Sequence, residues 1–457
     1  MINKKKKLIN NLIFFVLIVS FSIACYSTYK LFVLEIDQDN GFFSHLLLIS
    51  ILSIFFLFFL KEISNYKLKV GIIYFISIFL FTIFSLELYL SYFKKSQLQK
   101  NLISENINYD KRSKFQIYND LKTKGLKVEF PQVPNHFINS NGISYENKMI
   151  FPLGSLSNSF TFFDNLEGFY PIIKTDKYGF NNSNQIYKKE IDILLVGGSR
   201  GEGYSVQNDY SLSNQLRSYN YNVMNLSRAH NGALSKLATI SEYGNDIKPK
   251  IVLWLFYEYD LRYLFSELKS PTLLNYLEKD NFDQNLKNRQ HEIDKAYKKF
   301  LKNYEYNNPY DFYEEIKNFF RFGNLRKILK IKPKYRETLK NNKPLEFKKI
   351  LNKTKKIINS WGGELYFVSL PDYKRFSENY KPDSQDFVVQ TVKELKIPFI
   401  DMYEYIIKNN NDPLSIFPYR IDYDYNNNYN AKGYSFVANE INNKIINDSK
   451  KFKSKLN

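Results

Sequence analysis

The sequence predicts three N-terminal membrane-spanning helices followed by an α/β/α domain built on a parallel sheet. Three observations carry that prediction. The first hundred of the 457 residues hold three long apolar runs. Beyond residue 190, short β-type runs alternate with helical stretches. The first of those β runs ends in a glycine turn around a serine, Asp192-Ile-Leu-Leu-Val-Gly-Gly-Ser-Arg-Gly-Glu-Gly203.

The apolar runs Leu12 to Leu34, Phe42 to Leu60 and Val70 to Tyr92 each have about the twenty residues a helix needs to cross a bilayer. The mean hydropathy of −0.39 averages over this segment and a polar remainder. Three such runs joined by short polar links fit spanning better than burial in a soluble core. Lys30 sits close enough to an end to snorkel, and Glu87 lies nearer an end than the centre. Lys4 to Lys7 precede the first run, and Lys61, Lys67 and Lys69 lie between the second and third. Glu35-Ile-Asp-Gln-Asp39 carries no basic residue. The positive-inside rule then puts the N-terminus in the cytoplasm and the C-terminal domain outside. The first run lacks a small-x-small cleavage site and is read as an anchor. The anchor is expected over residues 1–95.

Composition bounds the remainder. The one cysteine, Cys25, excludes an internal disulfide and is expected to face lipid. The formal net charge of +19 is spread among alternating acids, so nucleic acid is not expected as a partner. Contact with the bilayer, and with an anionic surface glycan or lipopolysaccharide, fits an anchored external domain. There is no phosphate-binding glycine loop with lysine and no cysteine–histidine cluster, so neither cofactor nor metal is expected.

Residues 96–190 read as an irregular lead-in. Within it Tyr170 to Asn182 suggests a strand and then a loop reaching the main sheet. The main domain, 191–457, holds five runs: Ile191–Val196, Asn222–Leu226, Ile251–Phe256, Glu364–Ser369 and Ile397–Ile400. They are nearly continuous in apolar residues, as strands buried on both faces should be. Alternation with helices implies parallel pairing. Residues 262–350 carry helical spacing (Leu273, Leu274, Leu277; Ile316, Phe319, Phe320) and are read as a helical insertion packed beside the sheet. A polar side chain just past a strand stands at the carboxyl edge of the sheet, where ligands bind in open α/β folds.

Five segments, in order, resemble the blocks of the SGNH (GDSL-type) hydrolases. Gly197-Gly-Ser-Arg-Gly-Glu-Gly203 is similar to the nucleophile block, usually Gly-Asp-Ser-x-x-x-Gly. Asn225-Leu-Ser-Arg-Ala-His-Asn-Gly232 resembles the second block, Asn-x-Gly-x-x-Gly, and Tyr257-Glu-Tyr-Asp-Leu261 the third, Gly-x-Asn-Asp. Gly363 to Pro371 looks like the fourth strand. Asp412 to Pro418 with Tyr429-Asn-Ala-Lys-Gly-Tyr434 looks like the last block, Asp-x-x-His followed by Asn-x-x-Gly. The resemblance covers residues 170 to 445. It implies a flavodoxin-like α/β/α domain of SGNH type, a cell-envelope role, and ester chemistry on surface glycans. It makes Ser199 the nucleophile, with the Ser199 and Ser227 backbone N–H groups as oxyanion donors.

The chain departs from that pattern. The aspartate before the serine is Gly198, the third-block asparagine has no counterpart, and the base position reads Asn428, with Tyr425 three residues earlier. None of the four histidines (His45, His136, His230, His291) lies after residue 291. An asparagine has no titratable base. One reading is a member of the family with impaired or absent hydrolysis that keeps a glycan groove. The other is a serine ester hydrolase or O-acyltransferase in which His230, or one of the carboxylates Asp422, Asp424, Glu258 and Asp260, substitutes for the base, general-base help contributing about 10² to 10⁴ in rate. Arg200, Arg228 and Arg262 lie in three loops expected at one edge, where with Asn428 they would grip an anionic sugar or phosphate. Each residue also has a plainer role: a helix cap for Ser199, a loop contact for His230, salt bridges for the arginines.

Overall fold

The computed structural model describes residues 2–32, 40–63, 65–104, 109–307, 319–329, 344–376, 380, 384–418 and 428–454. The chain divides into two compact units, Met1–Lys94 with Glu314–Ile331, and Lys95–Tyr313 with Lys332–Asn457.

The first unit holds α1 (Ile2–Phe32), α2 (Asn40–Glu62) and α3 (Tyr66–Ser104). They meet through Ile13 of α1 and Leu57 and Leu60 of α2, with Ile72 and Ile73 of α3 against them. Among the described residues, two stretches are long and apolar enough to cross a membrane, Ile9–Tyr29 and Tyr66–Phe93. The sequence led us to expect three. The third expected run, Phe42 to Leu60, lies in α2, whose side chains before Leu46 fall outside the described residues.

The second unit is built on a five-stranded sheet. Its strands are β5 (Ile193–Val196), β6 (Val223–Asn225), β7 (Ile251–Phe256), β8 (Glu364–Ser369) and β9 (Phe399–Asp401), in the order β6-β5-β7-β8-β9. Every pairing is parallel. This is the flavodoxin-like order 2-1-3-4-5. Side chains alternate between two buried clusters, as the period of two demands. Leu194, Val196, Val252, Trp254 and Phe367 face one layer, which includes Leu234, Leu264, Ile350 and Val388. Ile193, Leu195, Leu253, Leu255 and Val368 face the other, with Leu216, Met402, Val437 and Ile441. Helices therefore cover both faces, which is why the strands read as unbroken apolar runs.

Two expectations need correction. The lead-in is not irregular: it holds a capped helix, Lys114–Thr123, and two antiparallel hairpins, β1 (Ile143–Tyr145) with β2 (Lys148–Ile150) and β3 (Phe160–Phe162) with β4 (Ile172–Lys174). After β4 the chain does reach the sheet, where the Asn182 side chain accepts from the Asn225 N–H and donates to its carbonyl (2.9 and 2.8 Å). The 262–350 insertion packs beside the sheet through Leu273, Tyr276, Ile293 and Tyr297. Its stretch from Phe319 to Leu329 does not: Phe319 and Phe320 pack on Phe84 of α3. Ile316 lies outside the described residues.

Candidate functional site

The site forms at the carboxyl edge of the sheet, where β5 ends. Gly197 and Gly198 turn the chain, and Ser199 opens a short helix, Ser199–Glu202. The turn is tight on its inner side. A Cβ on Gly201 would lie 2.6 Å from Ser227 Cβ, so only glycine lets the two loops touch. Gly203 closes the helix with φ of 100°, in the left-handed region.

Ser199 is half-buried, and its Oγ donates to Asn428 Oδ1 at 2.8 Å. Asn428 is held in place by the residues after it. The Asn430 side chain donates to the Ser415 and Phe417 carbonyls (2.9 and 3.1 Å) and accepts from the Gly433 N–H at 3.0 Å. The buried Tyr429 hydroxyl donates to the Pro371 carbonyl at 3.0 Å. An amide oxygen accepts a proton bond but cannot take the proton, so this pair cannot work as serine and base.

Ser227 does not offer its N–H to this site. That group donates to Asn225 Oδ1 at 3.0 Å, and the residue is fully buried. Arg200 is no surface grip either. Its guanidinium lies between the rings of Tyr257 (4.5 Å) and Tyr429 (4.4 Å) and donates to the Leu370 and Pro371 carbonyls at 2.7 and 3.1 Å. Arg228 is buried too, paired with Glu202 and donating to the Gln132 carbonyl. Burial raises the Glu202 carboxyl, and Arg228 opposes that rise. The guanidinium of Arg262 lies over the Tyr259 ring at 4.4 Å.

His230 is exposed, with φ of 62°, and its ring stacks on Tyr263 at 5.1 Å. It lies near His136, whose imidazole is pushed down to about 4 by burial first and by His230 second. The Ser199 hydroxyl is bonded to Asn428 and not to this ring. Asp422 and Asp424 lie outside the described residues.

Lys236 escaped the sequence reading, although its partner Asp260 and the nearby Glu258 were named there as acids reaching this edge. Lys236 is buried, donating to the Leu255 carbonyl at 2.8 Å and pairing with Asp260 at the end of β7. Burial raises Asp260, against the pull of Lys236. Lys236 is the one charge in the apolar helix Ala233–Thr239, a signal that it needs a buried partner. Glu258 accepts from the Tyr380 hydroxyl at 2.6 Å and faces Arg375 at 3.9 Å. Among the described residues, no group of three His, Cys, Asp or Glu is placed to hold a metal.

The fold and site define a doubly wound α/β domain with a serine–asparagine pair at the carboxyl edge of its sheet. No family model matches the chain, and no curated protein does. Among solved structures it is similar to a protein from Desulfitobacterium hafniense DCB-2, described as lipolytic and of the G-D-S-L family. The TM-score is 0.32 at 11% identity, covering 55% of this chain and 98% of that one. It is also similar to the protein YXIM of Bacillus subtilis, with a TM-score of 0.33 at 11% identity. That match covers 61% of this chain and 60% of the other. The fold class itself rests on the strand order.

Proposed function

We propose that this chain is a membrane-anchored, SGNH-like protein of the cell envelope that binds a surface glycan without cleaving esters. The observation that carries the reading is the Ser199–Asn428 hydrogen bond, at the edge where this strand order binds ligands. A hydroxyl and an amide held side by side are a neutral donor–acceptor pair suited to sugar hydroxyls. The net charge of +19 favours an anionic glycan. Anchoring is supported by the exposed apolar side chains of α3, among them Phe75, Ile78, Phe79 and Phe81. Orientation, with the C-terminal domain outside, follows from the basic flanks.

The test is a fluorophosphonate probe on the full chain in detergent, with a polysaccharide binding assay beside it. Wild type should stay unlabelled at Ser199 while binding an anionic polysaccharide saturably. Ser199→Ala and Asn428→Ala should weaken binding by about tenfold each, the worth of one or two net hydrogen bonds. Labelling of wild-type Ser199 would restore the hydrolase reading. Arg200 and Arg228 are unsuitable probes of binding, because both are buried braces.

A further inference from the structure

We infer that Phe319 to Leu329 is a membrane-embedded arm, docked on Glu87 of α3 and presenting its apolar side chains to lipid at the outer edge of the bilayer. The inference rests on the anchored reading above and goes beyond it.

Glu87 is fully buried, in a helix whose neighbouring side chains are largely exposed. A carboxylate there needs donors, and the arm supplies them. Glu87 Oε1 accepts from the Asn324 N–H (2.9 Å) and side-chain amide (3.0 Å), and Oε2 accepts from the Leu325 N–H (2.9 Å). The Asn324 amide also donates to Ser91 Oγ, one helical turn on, at 2.8 Å. The acceptor thus closes the first turn of the arm's short helix, Gly323–Ile328, satisfying amides that would otherwise lack partners. Beside this polar latch, Phe84 packs on Phe319, Phe320 and Phe322 at 5.5, 6.1 and 5.0 Å between ring centres. Two independent kinds of contact hold the same segment to the same two turns of α3.

Depth follows from helix geometry. At the α-helical rise, Glu87 stands roughly 31 Å along the axis from Tyr66. A bilayer hydrocarbon core is about 30 Å thick. With Lys67 and Lys69 at the cytoplasmic end, the core begins near Val70, so Glu87 stands roughly 26 Å into it, just short of the far boundary, and Phe84 lies one turn deeper. Unsatisfied backbone is excluded from that depth, and the Glu87 latch is what lets the arm's amides enter it. Much apolar surface of the arm still faces outward: Phe320, beyond its edge contact with Phe84, is 58% exposed, Ile328 60% and Leu329 60%. On α3 itself Leu88 and Tyr92, each next in sequence to a residue that holds the arm, are also uncovered. Exposed apolar side chains held to an apolar helix at that level fit lipid.

The experiment places a bimane on a single cysteine at residue 320, and separately at 328, in full-length Cys25→Ser protein reconstituted in phosphatidylcholine/phosphatidylglycerol vesicles. Phe79→Cys serves as the lipid-facing control and Lys188→Cys as the aqueous one. Emission at 320 and 328 should fall by more than half with lipids carrying a nitroxide near the headgroup, and stay nearly constant with aqueous iodide. Glu87→Leu should invert that pattern at both positions, and Glu87→Gln, which keeps one acceptor oxygen, should fall between. Iodide quenching at 320 and 328 while residue 79 stays lipid-quenched would overturn the arm alone. Iodide quenching at residue 79 as well would overturn the anchored reading and the arm with it.

Discussion

At the residue scale, the site turns on one substitution in kind: an amide where a base is needed. Asn428 Oδ1 already lies 2.8 Å from Ser199 Oγ, so an imidazole placed there has the reach of a base. Asn428→His should therefore gain fluorophosphonate labelling and ester cleavage, by about 10² to 10⁴ over wild type. Adding Tyr425→Asp should raise it further by orienting the ring. Labelling that stays at the wild-type level in both variants would show that the oxyanion donors are missing as well. The engagement of the Ser227 N–H by Asn225 bears on that outcome.

A second residue sets a pH dependence. Glu267 accepts from the Gly232 and Leu234 N–H groups at 2.7 and 2.9 Å, capping the helix Ala233–Thr239. Burial nevertheless lifts its carboxyl from 4.5 to about 7. The folded state therefore holds this proton more tightly than the unfolded chain does. The stabilisation is complete below about 4.5 and is lost as pH rises through about 7. Urea unfolding in detergent should show wild type losing stability relative to Glu267→Gln across that window. A difference independent of pH would contradict it.

At the element scale, the strands were legible and the hairpins were not. The run expected over Ile251–Phe256 is β7 to the residue, and Glu364–Ser369 is β8. Both are buried on two faces, so they read as apolar runs, broken only by Glu364 and Ser369 at the ends of β8. The hairpin strands β1 to β4 have three residues each, too few to display a period of two. The serine's place at the sheet edge was readable from the glycine turn. The burial of Arg200 was not, because the tyrosines that enclose it stand at 257 and 429, far away in sequence. The Ser227 N–H was misread for a local reason, because the Asn225 side chain two residues back turns onto it. The turn itself gives a test. Gly201→Ala brings a Cβ to 2.6 Å from that of Ser227 and 3.0 Å from Cδ1 of the buried β7 residue Leu255. It should destabilise the fold by about 1–3 kcal/mol, the usual range for overpacking. An unchanged urea midpoint would mean that the two loops part freely.

At the scale of the whole molecule, the chain enters its first unit twice, at its start and again through Glu314–Ile331. Sequence reading found the apolar helices from length and composition. It missed the return, because Phe319 and Phe320 look like any helix core until their partner Phe84 is known. The anchored reading has its own check. A reporter active only outside the cytoplasm, fused after Asn457, should be active, and the same reporter placed after Lys69 should be silent. A reversed pattern would put the domain in the cytoplasm.

The latch on Glu87 also imposes an order in time. Its donors lie 237 residues further along the chain. At about 5–20 residues per second, synthesis leaves the carboxylate waiting roughly 12–50 s for them. On the anchored reading, α3 would spend that interval near the translocation machinery or against the aqueous boundary. Final seating of the helix would then wait until residues 95–313 of the second unit had been made.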